Sequence, residues 1–440
     1  MREKIRIGCG AGFSGDRIEP ALILTEKGNL DYLVLECLAE RTIALAQKRK
    51  LQNPDLGYDV LLEKRISGLL PLLVKNKTRL VTNMGAANPI AGAKKIIELA
   101  KEQGLDVKVA AVIGDDVFSF FTGKEISIEN ERPIDSYGKL VSANAYLGVE
   151  AILPALASDA DIILTGRVAD PSLFLAPMIH EFGWEVDDFE KMGKGTVLGH
   201  LLECAGQITG GYFADPISKP IPDMDILGHP FVDIFSDGQG FISKVEGTGG
   251  AITVQTAKEQ LLYEVLDPFH YYTPDVIADF STVKIEEISK NQIQIKGGGG
   301  SSKPETYKVS VGYEAGFRGT GEISYAGAHA VERGELAAEI MSLRLKDKIE
   351  NLKIDLIGMN SLHPAELAQN SQPYEVRLRV TGMCDSLPLA QEIGEEVEAL
   401  YTNGPAGGGG ARKYVEQVVG VISTLLERDQ VKPGIQLFST

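Results

Sequence analysis

The 440-residue sequence lacks several features that mark particular classes of protein. It has no apolar run long enough to cross a bilayer, and its first residues, MREKIRIG, lack the apolar core of a signal peptide. Its four cysteines, Cys9, Cys37, Cys204 and Cys384, are scattered without a C-x-x-C pair, which argues against a disulfide framework and against a structural zinc site. These absences predict a cytoplasmic protein that does not associate with membranes.

Basic residues are also scarce. The chain has 44 lysines and arginines against 61 aspartates and glutamates, which gives a formal net charge of −17. Such a surface repels phosphate backbones and anionic lipid headgroups, so we expect neither nucleic acid nor membrane as a partner, although local basic pockets remain compatible with it.

The 44% hydrophobic content is that of a globular protein, and the length is more than one core usually supports, so two domains are predicted.

In the first half of the chain, short apolar runs alternate with patterns typical of helices. Runs of this kind are typical of strands that are buried on both faces, and their alternation with helices favours a parallel sheet. We therefore predict a Rossmann-like parallel α/β domain, flanked by helices, over residues 1–210. The predicted strands are IRIGC (5–9), DYLVLEC (31–37), RLVTNM (79–84), VKVAAVIGDD (107–116) and DIILTGR (161–167).

After residue 210 the pattern changes to the strict two-residue alternation of half-buried antiparallel strands, as in ETYKVSVGY and YEVRLRV. Helical patterns separate these segments. The prediction for residues 211–440 is an α+β domain with an antiparallel sheet and C-terminal helices, and for GGGGSSKP (297–304) a flexible surface turn. The predicted helices cover 330–347, 390–404 and 413–428.

The turn after the first strand, GAGFSGDR, contains Gly10, Gly12 and Gly15 in the pattern G-x-G-x-x-G, with Glu36 about 20 residues further on. This is the dinucleotide-binding fingerprint, so an NAD(P)-dependent oxidoreductase is one candidate function. Pro20 weakens that interpretation, because it leaves a short helix where the dinucleotide fold has a long one. The glycines are predicted to contact a ligand through their backbone.

Asp16 and Arg17 follow these glycines directly. Because glycine lets a backbone approach a ligand closely, we consider Asp16 a candidate catalytic acid and Arg17 a candidate ligand contact. An internal salt bridge explains the pair nearly as well.

The other predicted strands also end in polar residues, at the edge where open parallel sheets bind ligands. Asn83, Arg167 and Asp170 are candidates for ligand binding, and the Arg167 guanidinium suits a carboxylate or phosphate. Asp115 and Asp116 are candidates for a general base or for a divalent cation site. Helix capping is the alternative role for Asp170, which precedes a proline, and solvation or capping is the alternative for the two adjacent acids.

His200, Glu203 and Cys204 have the spacing that puts side chains on one face of a helix. His200 and Glu203 are therefore further candidates for acid–base catalysis, although an inert core cysteine beside a chance His–Glu pair has the same spacing.

A glycine-rich segment, NGPAGGGGARKY, precedes the last predicted helix. Free backbone amides around Gly409, with Arg412 and Lys413 at the predicted start of that helix, suggest an anion-binding cradle.

Several of these segments, in order along nearly the whole chain, resemble the acyclic terpene utilisation (AtuA-like) family. Among them are GAGFSGDR, TNMGAANP, ADIILTGRVADPSLFLAP, GHLLECAGQITGGYFADP and LYTNGPAGGGGARK. The resemblance implies a role in degrading branched acyclic terpenoids through CoA thioesters, and it supplies no catalytic residues. Some relatives carry a C-terminal ferredoxin-like domain, so the resemblance also implies a separate small ferredoxin-like partner subunit.

Together these observations predict a cytoplasmic enzyme of carboxylic-acid or acyl-CoA catabolism, a lyase, hydratase or isomerase that uses acid–base chemistry. Its ligand would be a small carboxylate or a CoA thioester held by Arg167 and Arg412, and an acid such as Asp16 or Asp115 would move a proton next to a carbonyl. A homo-oligomer is expected from base rates alone. A non-catalytic binding subunit of a catabolic complex is the remaining alternative.

Overall fold

The computed structural model describes residues 2–368 and 372–440, which form two compact units. Unit 1 comprises residues 2–136, Val141–Gly312 and Val421–Thr440, and unit 2 comprises Tyr137–Leu140 and Tyr313–Gly420 apart from residues 369–371. No helix in the described residues has both the length and the apolar character that crossing a bilayer requires.

The strands are numbered β1 to β18 in chain order. They are β1 Lys4–Ala11, β2 Tyr32–Leu35, β3 Arg79–Thr82, β4 Lys108–Ile113, β5 Leu140–Ala145, β6 Ile162–Thr165, β7 Pro230–Phe235, β8 Gly240–Lys244, β9 Tyr271–Tyr272, β10 Ile277–Asp279, β11 Lys284–Ser289, β12 Gln292–Lys296, β13 Gly299–Ser301, β14 Thr306–Ala326, β15 Asn351–Ile357, β16 Glu375–Cys384, β17 Gly409–Glu427 and β18 Gly434–Ser439.

The α-helices are numbered α1 to α10 in the same way. They are α1 Glu19–Lys27, α2 Glu40–Gln52, α3 Leu62–Asn76, α4 Pro89–Glu102, α5 Val149–Ala157, α6 Ser172–Phe182, α7 Phe189–Glu203, α8 Val254–Leu262, α9 Ala330–Leu345 and α10 Leu387–Asn403.

Unit 1 is built on one large mixed sheet with the strand order β11-β12-β8-β7-β1-β2-β3-β6-β4-β18. The five strands from β1 to β4 in this order are parallel, and each was predicted from an apolar run. Antiparallel strands extend the sheet on both sides, with β7 beside β1 and β18 beside β4. A mixed α/β sheet with a parallel centre is therefore confirmed.

The pairing does not confirm the Rossmann-like arrangement. In the dinucleotide-binding order the first strand lies between two parallel neighbours, whereas here β1 has the antiparallel β7 on one side.

Both faces of the parallel strands are buried. Leu33 and Leu35 of β2 belong to a cluster that includes apolar residues of α1, α3 and α4, while Tyr32 and Val34, which alternate with them along the strand, are also buried and point to the opposite face. Helices α6 and α7 pack against β1 from within this unit. Continuous apolar runs can form such strands because neither face contacts water.

Unit 2 contains an antiparallel sheet in the order β15-β16-β14-β17, against which α9 and α10 pack. Its core cluster includes Leu378 and Val380 of β16, Met341 of α9 and Ile393 of α10. The predicted α+β character, with antiparallel strands and two of the three predicted helices, is confirmed.

The third predicted helix, over residues 413–428, was wrong, because most of this segment lies in β17. The segment VVGVIST is rich in β-branched residues, which favour strands, and its apolar residues also fit a helical period. Gly420 lies at a point where an added Cβ would be 2.3 Å from the Tyr313 ring, so the strand passes closely over that aromatic side chain.

Residues 211–312, which the prediction placed in the second domain, belong to unit 1. The antiparallel pattern that begins there is real, but strands β7, β8, β11 and β12 extend the parallel sheet. Within GGGGSSKP, which was predicted to be a flexible turn, β13 pairs with β10.

We expect substitution of Gly319 by alanine to destabilise unit 2. A Cβ at this position would lie 2.1 Å from the Ala390 carbonyl oxygen in α10, so the helix would have to move away from β14. The expected loss in free energy of unfolding is about 1–3 kcal/mol, measured by chemical denaturation. Gly409→Ala is the matched control, because a Cβ added there would have no neighbour within 4 Å, and its expected change is below about 0.5 kcal/mol. Equal effects of the two substitutions would contradict this packing.

Candidate active site

A cavity of about 1100 Å³ lies in unit 1, at the edge of the sheet where the parallel strands end. Gly12 follows β1, Glu36 follows β2 and Arg167 follows β6, and the C-terminal end of α7 contributes Glu203. Six acidic residues line it against the two basic residues Arg167 and Lys308, and aromatic rings form much of the remaining wall. The lining acids are Asp16, Glu36, Glu40, Asp170, Glu203 and Glu264, and the lining aromatic residues are Phe13, Tyr146, Tyr212, Tyr263, Tyr271 and Tyr272.

Arg167 is the central cation of this cavity, and its side chain is only 2% exposed. Its Nη1 donates to the Leu38 carbonyl oxygen, its Nη2 lies 3.3 Å from Asp170 Oδ1, and its guanidinium carbon lies 4.0 Å from the centre of the Tyr146 ring. Its Nε has no hydrogen-bond partner among the described residues. Arg167 is thus held by neighbouring groups on several sides, while its buried Nε–H has no partner in the described residues.

Asp115 positions the backbone of Arg167. Its Oδ2 accepts hydrogen bonds of 2.9 Å from the Arg167 backbone N–H and from Asn144 Nδ2. Burial raises the pKa of Asp115 to about 6, against these hydrogen bonds, which favour the ionised form. Asp115 is not among the residues lining the cavity, so its role is to fix the turn after β6.

Asp170 is a titratable group poised near neutrality. Burial raises its pKa to about 7 against the opposing Arg167 charge, and the charges of Glu203 and Glu40 add to the rise. Burial, followed by the Asp170 charge, also raises the pKa of Glu36 well above its ordinary value. The cavity therefore contains carboxyl groups that hold a proton more readily than ordinary acids.

Glu40 is held in the opposite state. Although burial opposes it, the Arg167 charge and a hydrogen bond from the Tyr146 hydroxyl hold the pKa of Glu40 at about 2. Lys308 Nζ lies 3.4 Å from Glu40 Oε1. Carboxyl groups with widely separated pKa values in one cavity can act as acid and base at the same pH.

Glu203 is paired with His200 across one turn of α7, as the spacing predicted. His200 Nε2 lies 3.3 Å from the Leu261 carbonyl oxygen, which can only accept, so Nε2 carries a hydrogen. His200 Nδ1 lies 2.8 Å from Glu203 Oε1, and one further proton must lie between these two atoms. The pair is therefore neutral as a whole, whichever partner holds that proton.

The other carboxylate oxygen, Glu203 Oε2, has no hydrogen-bond partner in the described part of the chain. Burial raises the pKa of Glu203, with the His200 charge opposing it. Glu203 lines the cavity whereas His200 does not, so His200 can exchange a proton with a ligand only through Glu203.

In the glycine-rich turn after β1, the side chain of Asp16 accepts hydrogen bonds from the backbone amides of the turn itself. Asp16 Oδ2 accepts hydrogen bonds from Gly12 N at 2.6 Å and from Phe13 N at 3.3 Å. Buried Arg65 donates to the carbonyl oxygens of Ser14 and Asp16. The Gly12 amide, which was predicted to contact a ligand, and the Phe13 amide already donate to Asp16, which makes Asp16 a turn-forming residue at the cavity wall.

Three neighbouring candidates have structural roles instead of ligand contacts. A Cβ at Gly10 would lie 2.7 Å from Leu35, so this glycine allows close packing below the turn, and a Cβ at Gly15 would meet the Phe13 ring. Arg17 donates to the backbone oxygens of Met224 and Asp225 and does not pair with Asp16.

Asn83 and Asp116 also lie outside the residues that line the cavity. Asn83 positions Glu36, because its Nδ2 donates to Glu36 Oε1 at 2.9 Å while its Oδ1 accepts from Cys37 N. Asp116 accepts from Phe118 N and lies 3.6 Å from Lys50. Among the described residues no group of three or more His, Cys, Asp or Glu side chains could hold a metal ion, so the divalent cation predicted at Asp115 and Asp116 stays a prediction without a ligand set.

The predicted anion cradle does not form. Gly409 begins a strand instead of preceding a helix, so no helix N-terminus is present there. Arg412 and Lys413 are exposed on β17, and Lys413 Nζ pairs with Glu398 at 2.6 Å. These residues belong to unit 2, whereas the cavity is lined by residues of unit 1.

Several important residues were missed or misassigned from the sequence. Tyr146 was not identified, because the strand β5 that precedes it was not predicted. Arg65 interrupts an apolar stripe of α3 between Leu62 and Ile66, and a buried charge on such a stripe is a signal that could have found it. His229 lines the cavity and donates from Nδ1 to the Gly10 carbonyl oxygen, and burial lowers its pKa.

Cys204 lines the cavity but is a poor nucleophile. Burial raises the pKa of its thiol, and the Glu203 charge adds to that rise. The proposed Cys–His chemistry is therefore disfavoured, while the Glu203 carboxyl remains available.

We expect Gly12→Ala to destabilise the cavity wall. The added Cβ would lie 2.4 Å from the Cys204 carbonyl carbon and 2.7 Å from the Glu203 oxygen, both backbone atoms at the end of α7 that cannot move independently. The free energy of unfolding should fall by about 3 kcal/mol, measured by denaturant unfolding. Gly68→Ala, at an exposed position of α3, should not lower it, because alanine favours helices by about 1 kcal/mol over glycine. An unchanged stability of the Gly12 variant would show that the turn and α7 are not in close contact.

Comparisons with known proteins give one match. Residues 5–437 match the family model described as acyclic terpene utilisation family protein AtuA, which covers nearly the whole chain. No curated protein and no solved structure matches the chain significantly. This chain belongs to the acyclic terpene utilisation (AtuA) family.

Proposed function

We propose that this protein is a cytoplasmic enzyme that moves a proton at a carbon next to a carbonyl group in a small branched acyl compound, with a CoA thioester as the substrate form. One observation carries the proposal. Asp170, whose pKa is about 7, lies 3.3 Å from Arg167, whose Nε has no partner among the described residues, in a cavity of about 1100 Å³. A base and an oxyanion donor are thus side by side.

In the proposed reaction, the carbonyl oxygen of the substrate accepts a hydrogen bond from Arg167 Nε. Asp170 takes a proton from the adjacent carbon, the electron pair of the C–H bond moves toward the carbonyl oxygen, and Arg167 stabilises the negative charge that develops there. Glu203, protonated through its shared proton with His200, returns a proton at a second position or to a departing oxygen. Isomerases, hydratases and lyases all share this first step.

The cavity wall supports an acyl substrate. Its aromatic residues offer apolar contact to a hydrocarbon chain, for example the T-shaped pair of Tyr212 and Tyr263, whose ring centres are 6.0 Å apart. The acids that line the cavity outnumber its basic residues, so they disfavour a carboxylate group on the acyl part of the substrate. A thioester carbonyl is uncharged and is not repelled. Family membership supports a branched acyclic terpenoid chain.

The proposal predicts a defined pH dependence. Since Asp170 must be ionised to act as a base, exchange of the proton next to the carbonyl should increase about tenfold per pH unit below pH 7 and level off above it. The measurement is deuterium incorporation into citronelloyl-CoA in D₂O, followed by mass spectrometry. A rate that falls as the pH rises through this range would reverse the assigned role of Asp170.

Substitutions should separate the cavity residues from their neighbours. Asp170→Asn, Glu203→Gln and Arg167→Lys should each lower the rate of exchange by about 100-fold or more, because each removes a group that contacts the reacting atoms. Asp116→Asn is the matched control, an acid at the same sheet edge that is not among the cavity-lining residues, and it should stay within about twofold of the parent protein. Melting temperatures must be measured for all four variants.

If the parent protein binds acyl-CoA without any exchange, and Asp170→Asn binds it equally well, the alternative of a non-catalytic binding subunit is correct.

The NAD(P)-dependent alternative is disfavoured because Asp16 accepts hydrogen bonds from the amides of Gly12 and Phe13, where a pyrophosphate would bind. A homo-oligomer and a separate small ferredoxin-like subunit stay predictions, and sedimentation of the purified chain alone and with its partner would test them.

A further inference from the structure

Unsatisfied polar atoms are concentrated at the cavity. In the described residues, eight buried side-chain nitrogen and oxygen atoms have no hydrogen-bond partner. Four of them belong to residues that line this cavity, and they are Arg167 Nε, Asp170 Oδ1, Glu203 Oε2 and Gln207 Oε1. Asp170 Oδ1 forms an ion pair with Arg167 Nη2 at 3.3 Å, so the other three are the atoms without a polar partner in the described residues. Because leaving a buried polar atom unpaired costs about 1–3 kcal/mol, such a concentration indicates a ligand that pairs with them.

These atoms need different kinds of hydrogen-bond partner. Arg167 Nε is a donor, whereas the oxygens of Asp170, Glu203 and Gln207 can accept. Burial raises the pKa of Tyr263, and the Gln207 amide opposes that rise, as expected of an N–H group directed at the Tyr263 oxygen. Gln207 Oε1 is the atom of this amide that has no partner in the described residues. A complementary ligand therefore has one acceptor and also at least one donor.

A simple cation does not meet this requirement. It would offer Arg167 Nε no acceptor, because a metal ion or an ammonium group has no lone pair to give to an N–H group. A free carboxylate meets only the donor, and it would face the acids that outnumber the bases along the wall. A hydroxyl group next to an uncharged carbonyl supplies both functions.

We propose that the part of the ligand held in this cavity is an uncharged hydroxyacyl group, in which the carbonyl oxygen accepts from Arg167 Nε and the hydroxyl group donates to Glu203 Oε2 and Gln207 Oε1. This inference rests on the proposed function and narrows its substrate class. Gln207 becomes a specificity-determining residue, because its amide does not titrate and can only orient the hydroxyl. Glu203 and Gln207 both come from the chain segment at the end of α7, so one segment recognises the hydroxyl group.

The test is isothermal titration calorimetry with thioesters of N-acetylcysteamine, which carry no charge. The 3-hydroxyoctanoyl thioester should bind about tenfold more tightly than the octanoyl thioester, as expected for one or two additional hydrogen bonds. Gln207→Leu should reduce this ratio to about threefold or less. Gln47→Leu is the matched control, because Gln47 Oε1 is also buried and unpaired but does not line the cavity, and the ratio should be unchanged.

Each other outcome has a defined meaning. If both thioesters bind equally to the parent protein, this inference is wrong and the proposed function survives. If neither binds, and citronelloyl-CoA shows no exchange, both fail together. Tighter binding of free 3-hydroxyoctanoate, of octylamine or of magnesium chloride would overturn the inference in favour of a charged ligand. Should Gln207→Leu lower the melting temperature strongly, Gln207→Met replaces it with a flexible side chain of similar length.

Discussion

The burial of the Arg167 guanidinium is the constraint on which the rest of the site depends. Moving an unpaired charge of this kind out of water costs several kcal/mol, so the fold must provide compensating groups. They come from separate parts of the chain, with the Leu38 carbonyl after β2, the Tyr146 ring after β5 and the Asp170 carboxylate before α6. Because these segments must all meet at one cation, the carboxyl edge of the sheet is shaped into a cavity wall, and Asp115 holds the arginine backbone from the other side.

The same charge separates the acids around it. Glu40 is ionised because the nearby Arg167 charge and a hydrogen bond from the Tyr146 hydroxyl hold its pKa at about 2. Asp170 also faces Arg167, but it is surrounded by other acids and its pKa is about 7. The chemical group is identical in both residues, but Asp170 is more deeply buried, and the number of neighbouring acids and donors also differs. An enzyme that must both remove and return a proton near neutral pH needs such a pair, and the His200–Glu203 pair supplies a second exchangeable proton in the same cavity.

The glycine-rich turn shows how a short motif can be shared by different structures. Gly10, Gly12 and Gly15 have the spacing of a dinucleotide-binding loop, yet Asp16 accepts from the amides that would bind phosphate. Gly12 is needed for another reason, since it lets β1 approach the backbone at the end of α7. That approach places Glu203 in the cavity. The turn thus contributes to the site through the packing of Gly12 and through the Asp16 carboxylate. The spacing of the glycines predicted a tight turn, but it did not predict which groups the turn contacts.

The sequence by itself determined the parallel strands and their shared edge. Apolar runs of this kind are typical of strands buried on both faces, and the polar residues that follow parallel strands lie at one edge of the sheet. The sequence pattern therefore indicated Arg167 and Asp170, which line the cavity in the structure. Only the tertiary structure decided the remaining features. The segment 413–428 suits a helix and a strand about equally, and its place beside β14 selected the strand. Protonation of the acids, the unpaired acceptor of Gln207 and the positioning roles of Asn83 and Asp115 arise from contacts between residues far apart in the chain, and local patterns carry no information about such contacts.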